Sequence, residues 1–551
     1  MKSESNSGTV EVSSGDKALA VVSHAEVESS SSSFAESWHS SQNPFLDAHV
    51  EKYYRDIYTD CSYECLGRFD PDIKWSEKEE KNILKKIDWR VALPACFMFA
   101  ALQIDRGNLQ QAVADNLLED LGMSTNDYNT GMQLFYAAFT IAEVPSQMLS
   151  KRIGPDRFVP CQMVAWSIVA IAQAAMSNRA GFFATRFFLG LLEGGFIADL
   201  VLWLSYFYTS KELTLRLSWF WTTLSVVQIV TALLAFAILR MRGVGGLTGW
   251  QWLLLLEGLL TFFIGLSGFY LMVASAVQTK NWLHPKGWFS EREEKIVVNR
   301  ILRDDPSKGD MNNRQTLTLR KLWAALTDFD LWPVYAIGLI AYIPTQTLAP
   351  YLTLNLKQLG FSTFNVQLLS IPYNVLHIVL LLLITKLSEL FNDRSFVCLL
   401  APVYSTFLLG FIRWWSGSMV QAWPTYVITT LFLGQPYIHA ICVSWVSRNS
   451  NSIKTRSISS AAYNMFVQLG SIAASQIYRA DDKPKYHRGN TQLFFISLAL
   501  IPLLLLTKAY YVYRNKRKDE IWNSFSEDEK KDYVFTTKDQ GNHRLDFRFV
   551  H

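Results

Sequence analysis

Twelve stretches of about twenty predominantly apolar residues run along this chain, each long enough to cross roughly 30 Å of hydrocarbon, and they restrict its fold more than any other feature. They read as 89–110, 128–148, 158–177, 182–204, 216–238, 251–273, 332–352, 366–385, 396–414, 424–445, 458–477 and 492–512. A backbone in lipid has to satisfy its own polar groups, so continuous segments of this kind are helices. The expected fold is an all-α membrane protein of twelve transmembrane helices. A composition of 50% hydrophobic, 14% aromatic and 18% charged residues over 551 positions is too apolar for a soluble multidomain enzyme. The formal net charge of +4 marks no nucleic-acid partner, because Lys and Arg fall between the apolar runs and form no basic face.

An even number of spans puts both termini on one side. That side is expected to be the cytoplasm, because KRIGPDR (151–157), TKLSELFNDR (385–394), SRNSNSIKTR (447–456) and RNKRK (514–518) gather basic residues there. The loop QAVADNLLEDLGMSTND (111–127) holds none, whereas YRADDKPKYHRG (478–489) is a basic exception on the other side. The expectation is a multi-pass protein, most simply of the plasma membrane. Residues 1–85 are expected to be a largely disordered, Ser-rich cytoplasmic tail, with SSSSS at 29–33 and no secretory leader.

Two features divide the spans into halves of six, at 86–273 and 331–513, followed by a cytoplasmic tail at 514–551. The 274–330 connection is polar, with an amphipathic stretch at 288–305 whose Ile296, Val297 and Ile301 fall close to one face. The basic turn after span two is echoed after span eight, the kind of correspondence seen in transporters built from repeated halves. The six cysteines suggest no disulfide framework, and CSYEC (61–65) lacks the second pair of ligands that a metal site requires. No metal or other cofactor is expected.

Several runs carry a resemblance. IDRGN (104–108), YNTGMQLFYAAFTIAEVPSQMLSKRIGPDR (128–157), ATRFFLGLLEGGF (184–196), GWQWLLLLEGLLT (249–261) and GNHRLDFRFVH (541–551) together are similar to the major facilitator superfamily, and within it to the allantoate permease family of fungal anion:cation symporters. The likeness implies the major facilitator fold and uptake of a small anion with protons. It assigns Asn108, in the D-R-x-N motif, to substrate binding, and turns Gln103, Tyr136, Gln346 and Asn464 toward the central cavity. One departure is that Phe196 is followed by Ile197, Ala198 and Asp199 where many members have Pro-Gly. Loss of that proline removes an expected kink and adds a carboxylate.

The charges inside spans ask for a use, since each costs about 2.5–3.5 kcal/mol at mid-bilayer on insertion scales. Arg186 and Glu193 are two helical turns apart and share a face. If spans one and four face each other, Asp105, Arg106, Arg186 and Glu193 meet in one cavity with no net charge. An incoming anion would engage Arg106 or Arg186, whose planar fork suits carboxylate or sulfonate oxygens. Glu193 or Asp105 would then take up a proton. Lys151, Arg152, Asp156 and Arg157, with Glu389 and Arg394 in the equivalent loop, are expected to latch a cytoplasmic gate. Glu143 reads as a brace for the 151–157 loop, Glu257 has no assigned role, and His377 and His439 read more simply as packing residues than as proton relays.

The expected function is therefore a monomeric secondary transporter for a small organic anion. A nutrient sensor on a transporter fold stays open. A membrane-embedded enzyme finds no clustered nucleophile and base, and ATP drive finds no GxxxxGK[ST] loop.

Overall fold

The computed structural model describes residues 43–46, 48–280, 282, 285–310, 323, 325–391, 393–450, 453–526, 528–530, 533, 537 and 541–551. The serine run at 29–33, and the disorder expected around it, lie outside these residues. Among the described residues all regular structure is helical.

The first half holds α1 (Leu93–Ala114), α2 (Thr125–Ile153), α3 (Pro155–Ala172), α4 (Arg179–Glu193, then Phe196–Ser205), α5 (Ser210–Ile238) and α6 (Gly249–Leu271). The second holds α7 (Trp332–Ala341, Ile343–Leu348 and Leu352–Gln358), α8 (Thr363–Leu369 and Ile371–Phe391), α9 (Ser395–Cys398 and Leu400–Trp414), α10 (Ala422–Leu433 and His439–Asn449), α11 (Ile453–Ala474) and α12 (His487–Asn523). Eight of these passes are long and apolar enough to cross a membrane by length and composition alone. The remaining four, α2, α7, α10 and α11, are broken or more polar. For α2 and α11 the reason is their position, because they pack on each other between the halves and give up part of their lipid-facing surface. Elsewhere large apolar side chains such as Phe263, Val379, Phe407 and Leu506 stand exposed, as a lipid-facing surface requires.

The halves meet through α2 with α11, α5 with α8, and α1 with α7 and α8. Adding six to the numbers of one half exchanges the first two pairs, which is the relation a repeated architecture produces. Contact is concentrated at the end of the bundle far from the chain termini. There a single apolar core draws Leu109, Ala112, Leu117 and Trp250 together with Leu348, Tyr351, Leu356 and Tyr478. Toward the termini each half keeps its own core, one around Met98, Trp166 and Trp203, the other around Tyr335, Trp445 and Tyr511. Hydrogen bonds follow the same division: Asn129 Nδ2 donates to the Tyr478 carbonyl, Lys357 to Asn116, and Thr353 Oγ1 to the Gln110 carbonyl at 2.7 Å. The bundle is closed at the far end.

The absence of a proline after Phe196 does not leave α4 straight. It breaks at Gly194–Gly195, where Gly195 has φ +83° and a Cβ on Gly194 would come 2.7 Å from that of Ala142. Two glycines supply the interruption two residues before the expected kink, and they let α4 lie against the α2 backbone.

The described part of the tail, from residue 43, carries helical structure. Helix Ala48–Asp60 and residues 61–75 pack against the linker helix Glu291–Asp304. Arg68 reaches Glu291 and Glu294 at 2.6 and 2.9 Å, Lys86 reaches Glu293, and Arg292 Nε lies 2.9 Å from Glu79 Oε1. Arg292 and the Ser76 cap hold the Glu79 carboxyl down at about 2. The polar pattern of the tail hid this fold because its apolar partners, Val298 and Leu302, and the acids it pairs with lie in a distant segment. All six cysteines are free; burial pushes the Cys65 thiol up to about 11.

At the other tail, residues 541–551 fold back on the second half. Trp445 Nε1 donates to the Val550 carbonyl at 2.7 Å and Phe549 stacks on Tyr511.

Candidate binding site between the two halves

The site is built where α1, α2 and α4 converge. α2 starts in a capping box, in which Ser124 and Asp127 exchange bonds, and its ladder then presents Phe135, Tyr136, Phe139 and Glu143 over two turns. α4 can approach closely because Gly190 faces the Phe135 carbonyl with no side chain in between. That approach brings Arg186 to the Phe135 ring and Glu193 to Arg106.

Arg106 lies near the middle of α1. Its Nε donates to Glu193 Oε2 at 2.8 Å, and its guanidinium lies 4.8 Å from the Phe139 ring and 5.7 Å from Phe135. Arg186 covers the same Phe135 at 4.9 Å, and its Nη1 donates to Gln173 Oε1 at 3.3 Å. Glu193 is fully buried and the Arg106 side chain is 22% exposed. Both arginines keep a buried donor without a hydrogen-bond partner, Nη2 of Arg106 and Nε of Arg186, and Glu193 Oε1 is in the same condition. Two guanidinium groups over one aromatic ring, each with an unused donor, have the chemistry to accept oxygen ligands.

Glu143 also belongs here. It is buried one turn beyond Phe139, beside Arg106, with Oε2 lacking a hydrogen-bond partner. The spacing Phe139-to-Glu143, four residues on one helix, is the signal in the sequence that places Glu143 on this face. Asp105 does not join this set. It is adjacent to Arg106 but about 100° around the helix, so it turns into the first half, where Trp166 Nε1 donates to its Oδ2 at 3.0 Å.

Across the gap, Tyr136 OH donates to Gln346 Oε1 at 3.4 Å, joining two of the expected substrate-binding residues from opposite halves. Gln435 Nε2 donates to Thr345 Oγ1 at 2.7 Å in the same wall. His439 sits among the rings of Tyr342, Tyr437, Tyr463 and, from the first half, Trp221, at 5.5 to 5.9 Å. His377 packs on Tyr437 at 5.1 Å. Gln103 and Asn108 are buried in α1, while Asn464 is half-buried on α11. Asp199 and Glu257 are buried in α4 and α6.

Of the expected gate residues, Asp156 and Arg157 lie in the first turn of α3 and approach each other to 3.9 Å, and Arg152 is exposed. Arg394 is buried, its backbone N–H donating to the His551 carbonyl, while the neighbouring Asp393 pairs with Lys508 of α12. The side chains of Lys151 and Glu389 lie outside the described ones.

Comparison with known proteins sets this geometry in context. The family model described as Major Facilitator Superfamily matches residues 95–475. An uncharacterised transporter of Saccharomyces cerevisiae is 45% identical over 93% of this chain and 94% of its own length. The MFS-type transporter efuF of Hormonema carpetanum is 28% identical over 80% of this chain and 87% of its own. The partially occluded, inward-open xylose transporter XylE of E. coli superposes with a TM-score of 0.53 over 76% of this chain and 97% of its own, at 14% identity. These three proteins are transporters, not enzymes.

Proposed function

Since the chain belongs to the major facilitator superfamily, and is therefore a multi-pass membrane transporter for a small substrate, we propose that its cargo is a small organic anion carried with protons. The anion is a carboxylate, such as a vitamin or ureido acid, or a sulfur-containing anion such as a sulfonate. The proposal keeps the affinity with the allantoate permease family, a monomeric state, and a place in the plasma membrane with both termini in the cytoplasm. In that orientation the closed far end is the outer gate, and the site opens inward.

One observation carries the reading: two arginines share the Phe135 ring, and each keeps an unused buried donor beside a fully buried glutamate. Arg106 and Arg186 with Glu193 and Glu143 sum to zero formal charge. An anion binding to the guanidinium forks adds one negative charge to a low-dielectric site and competes with Glu193 for Arg106. A proton on Glu193 restores neutrality and releases Arg106 to the substrate. Anion and proton then occupy the protein together, which is symport by charge compensation. Alternating access follows when the α2–α11 and α5–α8 contacts at the far end open as those at the termini end close.

The test is reconstitution. Purified protein in liposomes, given a panel of carboxylates, sulfonates and neutral analogues of matched size, acidifies the lumen with at least one anion and with no neutral analogue. Acidification by none of the anions, or uptake of neutral analogues at equal rates, overturns the reading.

A further inference from the structure

A second charged centre lies within the first half, away from the space between the halves. Asp105, Asn108 and Glu257 are at most 1% exposed. Asp105 Oδ1, Asn108 Oδ1 and Nδ2, and both carboxylate oxygens of Glu257 lack a hydrogen-bond partner. The register of the two helices explains how they meet. Asp105 and Asn108 are three apart on α1, and Glu257 and Thr261 four apart on α6, so each pair occupies one helix face. The helices run antiparallel, which sets Asp105 beside Thr261 and Asn108 beside Glu257, with Asp105 also next to Glu257. Gly107, between them in sequence, faces α5, where a Cβ would meet Gln228 at 3.2 Å. The cluster is therefore lodged between α1, α3 and α6.

Its charge is unbalanced locally. From α3 it receives only the Trp166 indole N–H, on Asp105 Oδ2. Thr261 Oγ1 donates to the Glu257 carbonyl within its own helix, and α5 offers Gln228 and Thr231 nearby. The charged groups of α4 that Asp105 senses are Glu193 and Arg186. Arg106 is committed to Glu193, and Arg186 to Gln173 and Phe135. Two buried carboxylates without a cation of their own are costly by several kcal/mol each, and five orphaned polar atoms in one place call for an explanation. Clustered carboxylate and amide oxygens are the ligand set of hard cations.

We propose that Asp105, Asn108 and Glu257 form a monovalent-cation site, for a proton or a sodium ion, buried within the first half. Asp105 precedes Arg106 directly, so occupation of this site fixes the rotation of α1 about its axis and with it the placement of the Arg106 fork. This coupling rests on the transport reading; the cation site itself does not. The proton expected on Asp105 thus gains a partner, Glu257, which the sequence left without a role.

The test uses the full-length purified protein with no transported anion, so its failure is separate from failure of the anion reading. Two probes distinguish the sources. Sodium chloride replacing choline chloride at constant ionic strength raises the thermal midpoint saturably if the ion is sodium. A protonated-carboxyl infrared band is present if it is a proton. Either signal disappears in Glu257→Gln, and for sodium Asn108→Ala weakens the apparent affinity about tenfold or more. Wild-type protein showing neither signal overturns the proposal without reliance on any variant's folding, and so does a signal that survives unchanged in Glu257→Gln.

Discussion

Arg106 of α1 and Glu193 of α4 are joined by a 2.8 Å ion pair whose carboxylate is fully buried, while Asp105, the residue beside Arg106, turns into the first half. One turn of one helix thus serves two places. Arg106 addresses the space between the halves, and Asp105 the junction of α1, α3 and α6. A membrane helix that carries two adjacent charges at its centre needs two destinations for them, and here both are present.

The planar fork of Arg106 is the feature the anion reading uses most. Arg106→Lys keeps the charge but loses the second donor and the stacking on Phe139 at 4.8 Å. A hydrogen bond to a charged group is worth about 1.5–3 kcal/mol, so the half-saturating anion concentration should rise about 10–100-fold with the protein still folded and in the membrane. Concentration-dependent uptake beside surface labelling measures it. Unchanged uptake by correctly placed protein removes Arg106 from the site.

The closeness of α4 to α2 rests on a missing side chain. In Gly190→Ala the new Cβ overlaps the Phe135 carbonyl oxygen, and helix backbone cannot yield as a flexible side chain can. Overpacking of this kind costs about 1–3 kcal/mol. The variant should show a lowered thermal midpoint and reduced anion affinity together, because the shift moves Arg186 and Glu193 with it. Thermal unfolding and binding measured on one preparation check both, and normal values for each would show that α4 and α2 are further apart.

Acid should loosen the contact between tail and linker. Glu79 has a carboxyl held near 2 against an ordinary 4.5 by Arg292 and the Ser76 cap. With the folded value below the unfolded one, the contribution is fully present above about pH 4.5 and fades as the pH falls toward 2. The thermal-midpoint gap between wild type and Glu79→Gln should therefore be larger at pH 6 than at pH 3. A gap that stays constant, or widens in acid, contradicts the ion pair.

What the sequence made readable, and what it hid, follows from which forces are local. Apolar runs mark helices directly, so the span read at 128–148 lies within Thr125–Ile153 and that at 251–273 overlaps Gly249–Leu271. Where backbone interruptions depend on neighbours the reading was coarser: 332–352 is a chain of short helices, and α4 breaks at glycines although no proline follows Phe196. Residues 48–60 pack through Tyr54, Ile57 and Tyr58 on Val298 and Leu302 of the distant linker helix, which no local period reports. In the candidate site the seven-residue spacing of Arg186 and Glu193 was readable. Glu143 beside Arg106 and Phe135 beneath two guanidinium groups were not, since each depends on the rotation of one helix against another. The direction taken by Asp105 was hidden for the same reason.

Glu193 is the group on which symport by charge compensation depends, and its replacement separates binding from coupling. Glu193→Gln mimics the permanently protonated form, so Arg106 remains available to the anion while the proton site is gone. A tenfold proton gradient offers about 1.4 kcal/mol per proton, and the variant should be unable to use it. The measurement is made on reconstituted protein, with counterflow of labelled anion read beside accumulation driven by external acid. The account predicts counterflow retained and pH-driven accumulation abolished. Accumulation by Glu193→Gln against its gradient in response to external acid would contradict it, and would place the coupling proton elsewhere in the protein.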